Sequence, residues 1–410
     1  MDERARLILE YGRDEQTMTE LCEIYRISRE TGYYWLRRFR QGGLEALRDL
    51  SRAPARHPNQ TTERIEQAVL ELRREHMTWG PRKLKRVLER KKPEQLWPAA
   101  STIGALLARE GLVVPRPKRR RTPPYTNPFA SAEAPNRVWG ADFKGWFRTR
   151  DGERIDPLTI GDACSRYLFR CQPVEKTNGE HVRGVFEGAF REWGLPDAIR
   201  TDNGPPFASR AIAGLSHLAV WWMKLGIVPE RIAAGHPEQN GRQERMHRTL
   251  KQETASPPAA NRRAQQRAFD RFRLEYNEER PHEALRMQTP SAVHVRSQRE
   301  YPARVLEPEY GSALQVRRVR TCGQFHWKNE NVFLSETLGG EAIGLLAVDE
   351  RFYTVYFAAF PIARFDSQRR LILPLPKHSN AVAGEGEASP SPAIYPLTEK
   401  NQKVSGMCPV

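Results

Sequence analysis

The segment Val-Trp-Gly-Ala-Asp-Phe, at residues 138–143, carries an acid inside a run of residues that predicts a β-strand. Apolar side chains flank Asp142 on both sides, and an unpaired charge buried in such a strand is costly. A folded protein rarely keeps an acid at such a position without a use for it. The segment therefore predicts a strand whose acid, Asp142, has a chemical role.

Two further segments each place an acid on a predicted element. Arg200–Gly204 (RTDNG) follows an apolar pair and predicts a strand that ends in a turn at Asp202. His236–Arg245 (HPEQNGRQER) predicts a turn at Gly241 and then a helix that carries Glu244. Acids at two strand ends and one on a helix can converge on hard divalent cations, which take oxygen ligands. This is the pattern of a two-metal phosphoryl-transfer site.

The composition predicts a multidomain chain with a polyanionic partner. Its 410 residues exceed one ordinary core, and the net charge is +16 with a pI near 9.8. DNA is therefore the expected partner. Two basic runs supply candidate DNA contacts, which are Arg37, Arg38, Arg40, Arg119, Arg120 and Arg121. The alternative for each run is a solvated face without a partner.

The cysteines and the hydropathy of the chain predict where in the cell the protein is located. Five scattered cysteines contain no CxxC pair and no metal-ligand spacing, which argues against a zinc site and a disulfide framework. This pattern favours a reducing, cytoplasmic location. No apolar stretch reaches the roughly 20 residues that span a bilayer, so we expect a soluble protein with no membrane partner.

Residues 1–52 predict a helix-turn-helix domain. Ser28 is a good N-cap for a helix that packs Tyr33 and Leu36 inward and projects the arginines of the first basic run. The second helix of such a pair enters the major groove of DNA. The alternative is a helical hairpin that serves dimerisation. Residues 60–114 predict a second helical DNA-binding domain, of a winged or three-helix type.

The rest of the chain predicts four further segments. Residues 115–136 are rich in Pro and Arg and predict an extended basic linker that follows phosphates. In residues 137–298 strands alternate with helices, which predicts a mixed sheet with helices on both faces. Short β-like runs in residues 312–374 predict a small β-barrel, and residues 376–410 predict a disordered tail.

The acidic segments closely resemble the catalytic core of retroviral-type integrases, and most of all that of the DDE transposases of bacterial insertion sequences. The resemblance rests on WGADF at 139–143, TDNG at 201–204, the segment 236–245, and YNEERPHEAL at 276–285 followed by Thr289-Pro290. It covers residues 137–295 strongly and the flanking segments more loosely. One motif alone is weak, but four in this order are specific.

The resemblance implies an α/β RNase H-like core, an SH3-like form for the C-terminal barrel, and a catalytic set of Asp142, Asp202 and Glu244. In this set Asp142 bridges two Mg²⁺ or Mn²⁺ ions, and each of the other two acids holds one ion. The resemblance also implies a homo-oligomer on DNA, with element ends and target DNA as partners and no nucleotide cofactor. Asp162, another strand acid, is typically structural in the family.

The third carboxylate has two candidates, Glu238 and Glu244. The number of residues after Asp202 favours Glu238, whereas the local pattern Pro-x-x-x-Gly-x-x-acid favours Glu244, because Pro237 and Gly241 fit that frame. We choose Glu244, since surface loops tolerate insertions that lengthen a spacer. Helical spacing predicts one face for Glu244, His247, Arg248 and Lys251, so Arg248 and Lys251 are expected DNA contacts. The alternative is an ordinary surface pair between Glu244 and Arg248.

The predicted function is that of a transposase that binds the ends of its mobile element and catalyses metal-dependent end cleavage and strand transfer. One alternative is a domesticated DNA-binding regulator without catalysis, which should have lost at least one carboxylate. Another is a ribonuclease H-like nuclease that acts on RNA–DNA hybrids, which would not need two N-terminal helical DNA-binding segments. All three carboxylates are present, and this favours the enzyme.

Overall fold

A computed structural model describes residues 3–49, 61–113, 132–174, 179–209, 211–232 and 241–375. The chain divides into two compact units, Met1–Glu66 and Gln67–Val410. The predicted DNA contacts Arg119, Arg120 and Arg121 lie outside the described residues, as do most of the predicted linker and the predicted tail at 376–410.

The described residues of the first unit form α1 (Glu3–Tyr11), α2 (Met18–Ile24) and α3 (Arg29–Gly42). The hydroxyl of Ser28 accepts from the backbone N–H of Thr31, so the predicted N-cap of α3 forms. The helices enclose a small apolar core that consists of Ile8, Met18, Cys22, Leu36 and Leu47. Leu36 is inward as predicted, whereas the prediction for Tyr33 is wrong because its side chain is 48% exposed.

The second unit starts within a helical bundle of α4 (Glu63–Glu75), α5 (Pro81–Lys91) and α6 (Ala100–Arg109). Trp79, which is fully buried, lies between α4 and α5 and stacks on His76 with ring centroids 3.7 Å apart. Pro81 occupies the first turn of α5, where a missing N–H costs nothing. The bundle therefore has its own aromatic and aliphatic core.

A mixed sheet follows the bundle. Its six strands are β1 (Val138–Phe143), β2 (Phe147–Arg148), β3 (Arg154–Asp162), β4 (Leu168–Val174), β5 (Ala198–Thr201) and β6 (Val228–Arg231). The strand order is β2-β3-β1-β5-β6, and β4 also pairs with β3. β1 is antiparallel to β3 and parallel to β5, and β5 is parallel to β6.

Helices cover both faces of this sheet. α7 (Gly179–Trp193) and α8 (His217–Lys224) share a core with Trp139 and Ala141 of β1. α9 (Gly241–Thr254) and α10 (Arg262–Leu274) share a second core with Ile155 and Leu168 on the opposite face. The predicted α/β architecture is confirmed. Since side chains alternate along a strand, Asp142 belongs to the face covered by α9.

A short helix, α11 (Pro290–Val293), precedes the C-terminal strands. These are β7 (Leu314–Arg318), β8 (Gln324–Trp327), β9 (Glu330–Phe333), β10 (Ala342–Ala347), β11 (Phe352–Phe357), β12 (Phe360–Asp366) and β13 (Leu371–Leu373). They form an antiparallel sheet of order β13-β12-β11-β10-β7 and a β8-β9 hairpin. The β architecture is as predicted, and its closure as an SH3-like barrel stays a prediction.

No helix within the described ranges is both long and apolar enough to cross a membrane. The four cysteines that the structure describes, Cys22, Cys164, Cys171 and Cys322, are free thiols.

Candidate active site

Asp142 and Asp202 lie at the same level of two adjacent strands. The parallel register pairs Trp139 with Ile199 and Gly140 with Arg200. Asp142 lies two residues after Gly140, and Asp202 lies two residues after Arg200. Both side chains therefore belong to the same face of the sheet. Asp142 is buried, with 9% exposure, and Asp202 is half-buried. The register therefore places two of the three predicted acids at matching levels, at the carboxyl ends of β1 and β5.

A hydrogen-bonded pair fixes the backbone and surroundings of Asp142. Thr159 lies opposite Asp142 in the β1–β3 register, and its hydroxyl donates to the Asp142 carbonyl oxygen over 3.1 Å. His247 of α9 lies 2.7 Å from the same hydroxyl through its Nε2 atom. Thr159 thereby links the backbone of Asp142 to helix α9.

His247 does not neutralise Asp142. Its Nδ1 atom lies 3.8 Å from Asp142 Oδ2, but burial and then the Lys144 charge lower the pKa of His247 to about 3. The imidazole is therefore neutral at pH 7. His247 orients the site without supplying positive charge.

Asp202 follows β5 directly and lies in the turn that its sequence predicts. Its Oδ1 atom accepts from the backbone N–H of Gly204 over 3.1 Å, which is an Asx-type turn. A β-carbon on Gly204 would lie 3.2 Å from Asp202 Oδ2, so glycine lets the chain double back close to the carboxylate. The amide of Asn203 donates to the Ile232 carbonyl over 3.0 Å and ties this turn to the end of β6.

Helix α9 crosses β1 on the face of the two aspartates. The side chain of Gln243 covers Gly140 so closely that a β-carbon there would lie 2.5 Å from Gln243 Nε2. One turn later, His247 reaches Thr159 and Asp142. Glu244 follows Gln243 in the first turn of α9 and is exposed. The alternative acid, Glu238, lies outside the described residues.

The described residues contain no group of three or more His, Cys, Asp or Glu arranged to hold a metal ion. The structure thus places Asp142 and Asp202 at matching levels of β1 and β5 and carries Glu244 on a helix above β1, and within the described residues the three acids do not form one metal-holding group.

Comparisons with known proteins agree with this architecture. The Integrase core domain family matches residues 132–237, and a second Integrase core domain family matches residues 225–290. A Helix-turn-helix domain family matches residues 3–55, and a Homeodomain-like domain family matches residues 31–107.

The chain is 30% identical over 250 residues to the 31.7 kDa protein of insertion element IS407 from Burkholderia multivorans, and the match spans 60% of this chain and 87% of the relative. It belongs to the insertion-element transposase family with an RNase H-like integrase core. The transposase is also 29% identical over 259 residues to the 39.2 kDa protein of insertion element IS476 from Xanthomonas euvesicatoria, covering 62% of this chain and 72% of that protein. Among solved structures, the HTLV-2 integrase catalytic core domain in complex with magnesium is 17% identical, with a TM-score of 0.32 over 40% of the transposase and 98% of that chain.

The prediction that four residues share one exposed face of α9 is wrong for His247. Glu244, Arg248 and Lys251 are exposed, whereas His247 is buried with Met246 and Leu250. The helix is oriented so that His247 packs against Thr159 of β3 and does not lie among the exposed cations. Arg248 and Lys251 keep an accessible position at the same side of the helix as Glu244.

Lys144 is a cation that the sequence analysis missed. It follows Asp142 by two residues, and burial together with the Lys251 charge lowers its pKa, while Asp142 opposes the shift. Its backbone N–H donates to Pro157 and extends the β1–β3 pairing beyond Phe143. Lys144 and Lys251 therefore add positive charge close to Asp142.

Asp162 has the surroundings of a structural acid. Its Oδ1 atom accepts from the Asn136 backbone N–H over 2.9 Å, and its Oδ2 atom accepts from both the N–H and the hydroxyl of Ser165 at 2.6 Å. These bonds organise the turn between β3 and β4 and occupy both carboxylate oxygens.

The arginines of α3 separate into two kinds. Arg37 and Arg40 are exposed. Arg38 donates to the Arg48 carbonyl over 2.9 Å and lies over the rings of Tyr34 and Trp35, with guanidinium-to-centroid distances of 5.7 and 5.0 Å. Arg38 thus contributes to the packing of the first unit, and Arg37 and Arg40 are accessible to a partner.

Proposed function

We propose that this transposase cuts DNA at the ends of its element and joins those ends to target DNA, using Asp142, Asp202 and Glu244 to hold two divalent ions. The observation that carries the proposal is the register of the parallel strands β1 and β5, which puts Asp142 and Asp202 at matching positions at their carboxyl ends. The anchoring of α9 above them, through Gln243 on Gly140 and His247 on Asp142, supports Glu244 as the third acid.

The donor set fits Mg²⁺ or Mn²⁺. Carboxylate oxygens are the ligands that hard cations prefer, and zinc would favour nitrogen or sulfur donors instead. The neutral His247 leaves the negative charge of Asp142 in place, and Asp202 adds a second negative charge beside it. Asp142, Asp202 and Glu244 would hold the ions. When bound, the ions stabilise the charge on the attacking and leaving oxygens.

The transposase's own residues orient the reaction. Thr159 and His247 hold Asp142, while Arg248, Lys251 and Lys144 offer positive charge to DNA phosphates. In the first step a water oxygen attacks phosphorus at the element end, and the 3′-oxygen leaves as a hydroxyl. In the second step this 3′-hydroxyl attacks a target phosphodiester, whose own 3′-oxygen leaves. Neither step needs a covalent bond between protein and DNA.

The helical segments serve end recognition in this proposal. Residues 1–52 and 60–114 act as the two DNA-binding domains, with Arg37 and Arg40 directed to the element end. Residues 312–374 hold DNA or another subunit through basic side chains such as Arg320 and Lys328, which are exposed. The active assembly in this proposal is a homo-oligomer of the chain on DNA.

The test uses purified full-length protein, DNA that carries the element end, and Mg²⁺. Wild-type protein is expected to nick the end and join it to target DNA. Asp142→Asn is expected to bind the end with unchanged affinity and to cut nothing. Asp270→Asn, which changes an exposed aspartate on α10, serves as the matched control and should cut normally.

Two results would overturn the proposal. Cleavage by Asp142→Asn at the wild-type rate would remove Asp142 from the active site. Specific end binding by wild-type protein without any cleavage, in Mg²⁺ or Mn²⁺, would instead indicate the DNA-binding regulator.

A further inference from the structure

A cavity of about 60 Å³ lies beside the proposed active site, between β1, the end of β3 and the start of α9. Three arginines line it, which are Arg166, Arg200 and Arg242, together with Gly140. A single water needs only about 10–15 Å³, so this cavity admits a group of several heavy atoms. Three guanidinium groups around one small cavity are not required by the reaction described above.

Arg166 is held in an unusual way. Its backbone has a φ of 66°, a left-handed conformation that is uncommon outside glycine. Its Nε atom is enclosed and has no hydrogen-bond partner within the described part of the chain. Burial lowers the pKa of Arg166, and the neighbouring acid Asp162 has both oxygens occupied by Asn136 and Ser165. A buried donor on a cation is costly unless something accepts from it.

The other two arginines have polar partners of their own. Arg200 forms two hydrogen bonds to the same Glu230 oxygen, from Nε at 2.9 Å and from Nη2 at 2.6 Å. Arg242 donates to the Ala163 carbonyl over 2.9 Å. Three guanidinium groups of like charge line this cavity and repel one another, which is a setting that an anion stabilises.

We propose that this cavity binds a phosphate group and that, in the complex with DNA, the group is a backbone phosphate. The planar guanidinium presents its N–H donors in a fork that matches phosphate oxygens. Sulfate and other tetrahedral anions share this chemistry, but a protein that acts on DNA meets phosphate at its substrate.

The position of the cavity relates it to the cleavage site. Gly140, Arg200 and Arg242 precede Asp142, Asp202 and Glu244 by two residues each. Two residues of a strand span about 6.6 Å, and one nucleotide of a duplex strand rises about 3.4 Å. The bound phosphate would thus lie within about two nucleotides of the phosphate that is cut. This part of the inference rests on the proposed function, whereas anion binding itself does not.

The first experiment measures binding of inorganic phosphate to the full-length protein by its thermal unfolding midpoint. Phosphate is expected to raise the Tm of the wild-type protein by several degrees. The same phosphate concentration should leave the Tm of Arg166→Gln unchanged. Arg166→Lys keeps the charge but not the forked arrangement of donors, so it should need at least tenfold more phosphate for the same rise in Tm. Arg263→Gln, at an exposed arginine of α10, should respond like wild type.

The same variants separate a ligand site from a structural one. Without phosphate, Arg166→Gln should unfold at the wild-type temperature or above it, because it removes one of three mutually repelling charges. A lower Tm together with an unchanged response to phosphate would overturn the inference and make Arg166 a structural residue. A wild-type protein that ignores phosphate would also overturn it.

The second experiment identifies the DNA phosphate in the Asp142→Asn background, so that cleavage plays no part. Single neutral methylphosphonates replace the phosphates within two nucleotides of the cleavage position. One of these substitutions in the DNA is expected to weaken binding by Asp142→Asn about tenfold. The same methylphosphonate should not weaken binding by the double variant Asp142→Asn/Arg166→Gln. Equal losses with and without Arg166→Gln would exclude a DNA phosphate from the cavity, even if free phosphate binds there. The response to inorganic phosphate is independent of catalysis, so a failure of the proposed chemistry would leave the first readout unaffected, whereas the second readout depends on the cleavage position.

Discussion

Arg280 donates from its Nη1 atom to the Oε1 atom of Glu253 over 2.8 Å, and their side chains are only 7% and 19% exposed. Glu253 lies in the last turn of α9, and Arg280 follows α10. The hydroxyl of Thr78, between α4 and α5, donates to the same Glu253 oxygen. One carboxylate therefore joins the helical bundle to the mixed-sheet domain and fixes the end of the helix that carries Glu244.

Removing this carboxylate should destabilise the second unit. Glu253→Ala leaves the Arg280 guanidinium buried without its acid, which typically costs about 3–5 kcal/mol. Urea denaturation of the full-length protein measures the loss. The double variant Glu253→Ala/Arg280→Met should recover much of it, because no buried charge remains. A loss below about 1 kcal/mol for Glu253→Ala would show that the pair does not hold the bundle.

Lys83 of α5 should make this region more stable at high pH. Burial, and then the Arg280 charge, lowers the pKa of Lys83 from 10.5 to about 8, although Glu283 and Glu253 oppose the shift. Between pH 8 and 10.5 the unfolded chain holds a proton that the folded chain lacks, so the contribution of Lys83 to stability rises with pH. Below pH 8 the charged Lys83 costs up to about 3 kcal/mol.

Lys83→Met is therefore expected to be more stable than wild type at pH 7, with a difference that disappears by about pH 10.5. Denaturation curves at several pH values give this difference directly. Lys91→Met, at an exposed lysine of the same helix, should show no such dependence. A constant difference between wild type and Lys83→Met from pH 7 to 10.5 would contradict the shifted pKa.

Local signals explain which parts of the site are predictable. Asp142 sits inside an apolar run and Asp202 meets Asn-Gly, so the sequence near each acid is enough to predict its strand end. Thr159 and His247 lack such a signal, because their contact depends on the β1–β3 register and on the rotation of α9. A stripe of residues at helical spacing does not say which of its edges is buried. The same reason explains the wrong prediction for Tyr33.

Substitution of the acids separates the two candidates for the third carboxylate. Ala or Asn at Asp142 or Asp202, and Ala at Glu244, should abolish end cleavage and strand transfer, while affinity for the element end stays within about twofold of wild type. Glu238→Ala should have a mild effect. Gel assays of cleavage and mobility shifts measure the two activities on the same protein. An inactive Glu238→Ala and an active Glu244→Ala would reverse the assignment.

The α3 arginines should differ in what they contribute. Arg37→Ala and Arg40→Ala are expected to weaken binding of element-end DNA by about 1–3 kcal/mol each if they contact bases, with no loss of stability. Arg38→Ala should instead lower the stability of the first unit, since it loses the Arg48 bond and two ring contacts. Competition by random DNA at several salt concentrations distinguishes base contacts from phosphate contacts. Equal weakening for end and random DNA would exclude base contacts by Arg37 and Arg40.

The C-terminal sheet should be required for the stability of the catalytic domain as well as for DNA binding. Ala219, Val220 and Met223 of α8 are buried in one cluster with residues of the sheet, and Lys224 pairs with Glu341 over 2.9 Å. A chain that ends at residue 309 exposes this side of α8, and each large apolar side chain that returns to water costs about 1.5–3 kcal/mol.

We therefore expect the shortened chain to lose strand transfer through partial unfolding of α8, which hydrogen exchange along residues 217–224 detects. Arg320→Gln/Lys328→Gln in the full-length protein tests the separate role in DNA binding, because both side chains are exposed and their removal leaves the α8 contacts intact. This double variant should keep the wild-type Tm and bind non-specific DNA more weakly, with a smaller salt dependence. Full protection of α8 in the shortened chain would show that the sheet is dispensable for the core, and unchanged DNA binding by the double variant would remove these two cations from the DNA surface.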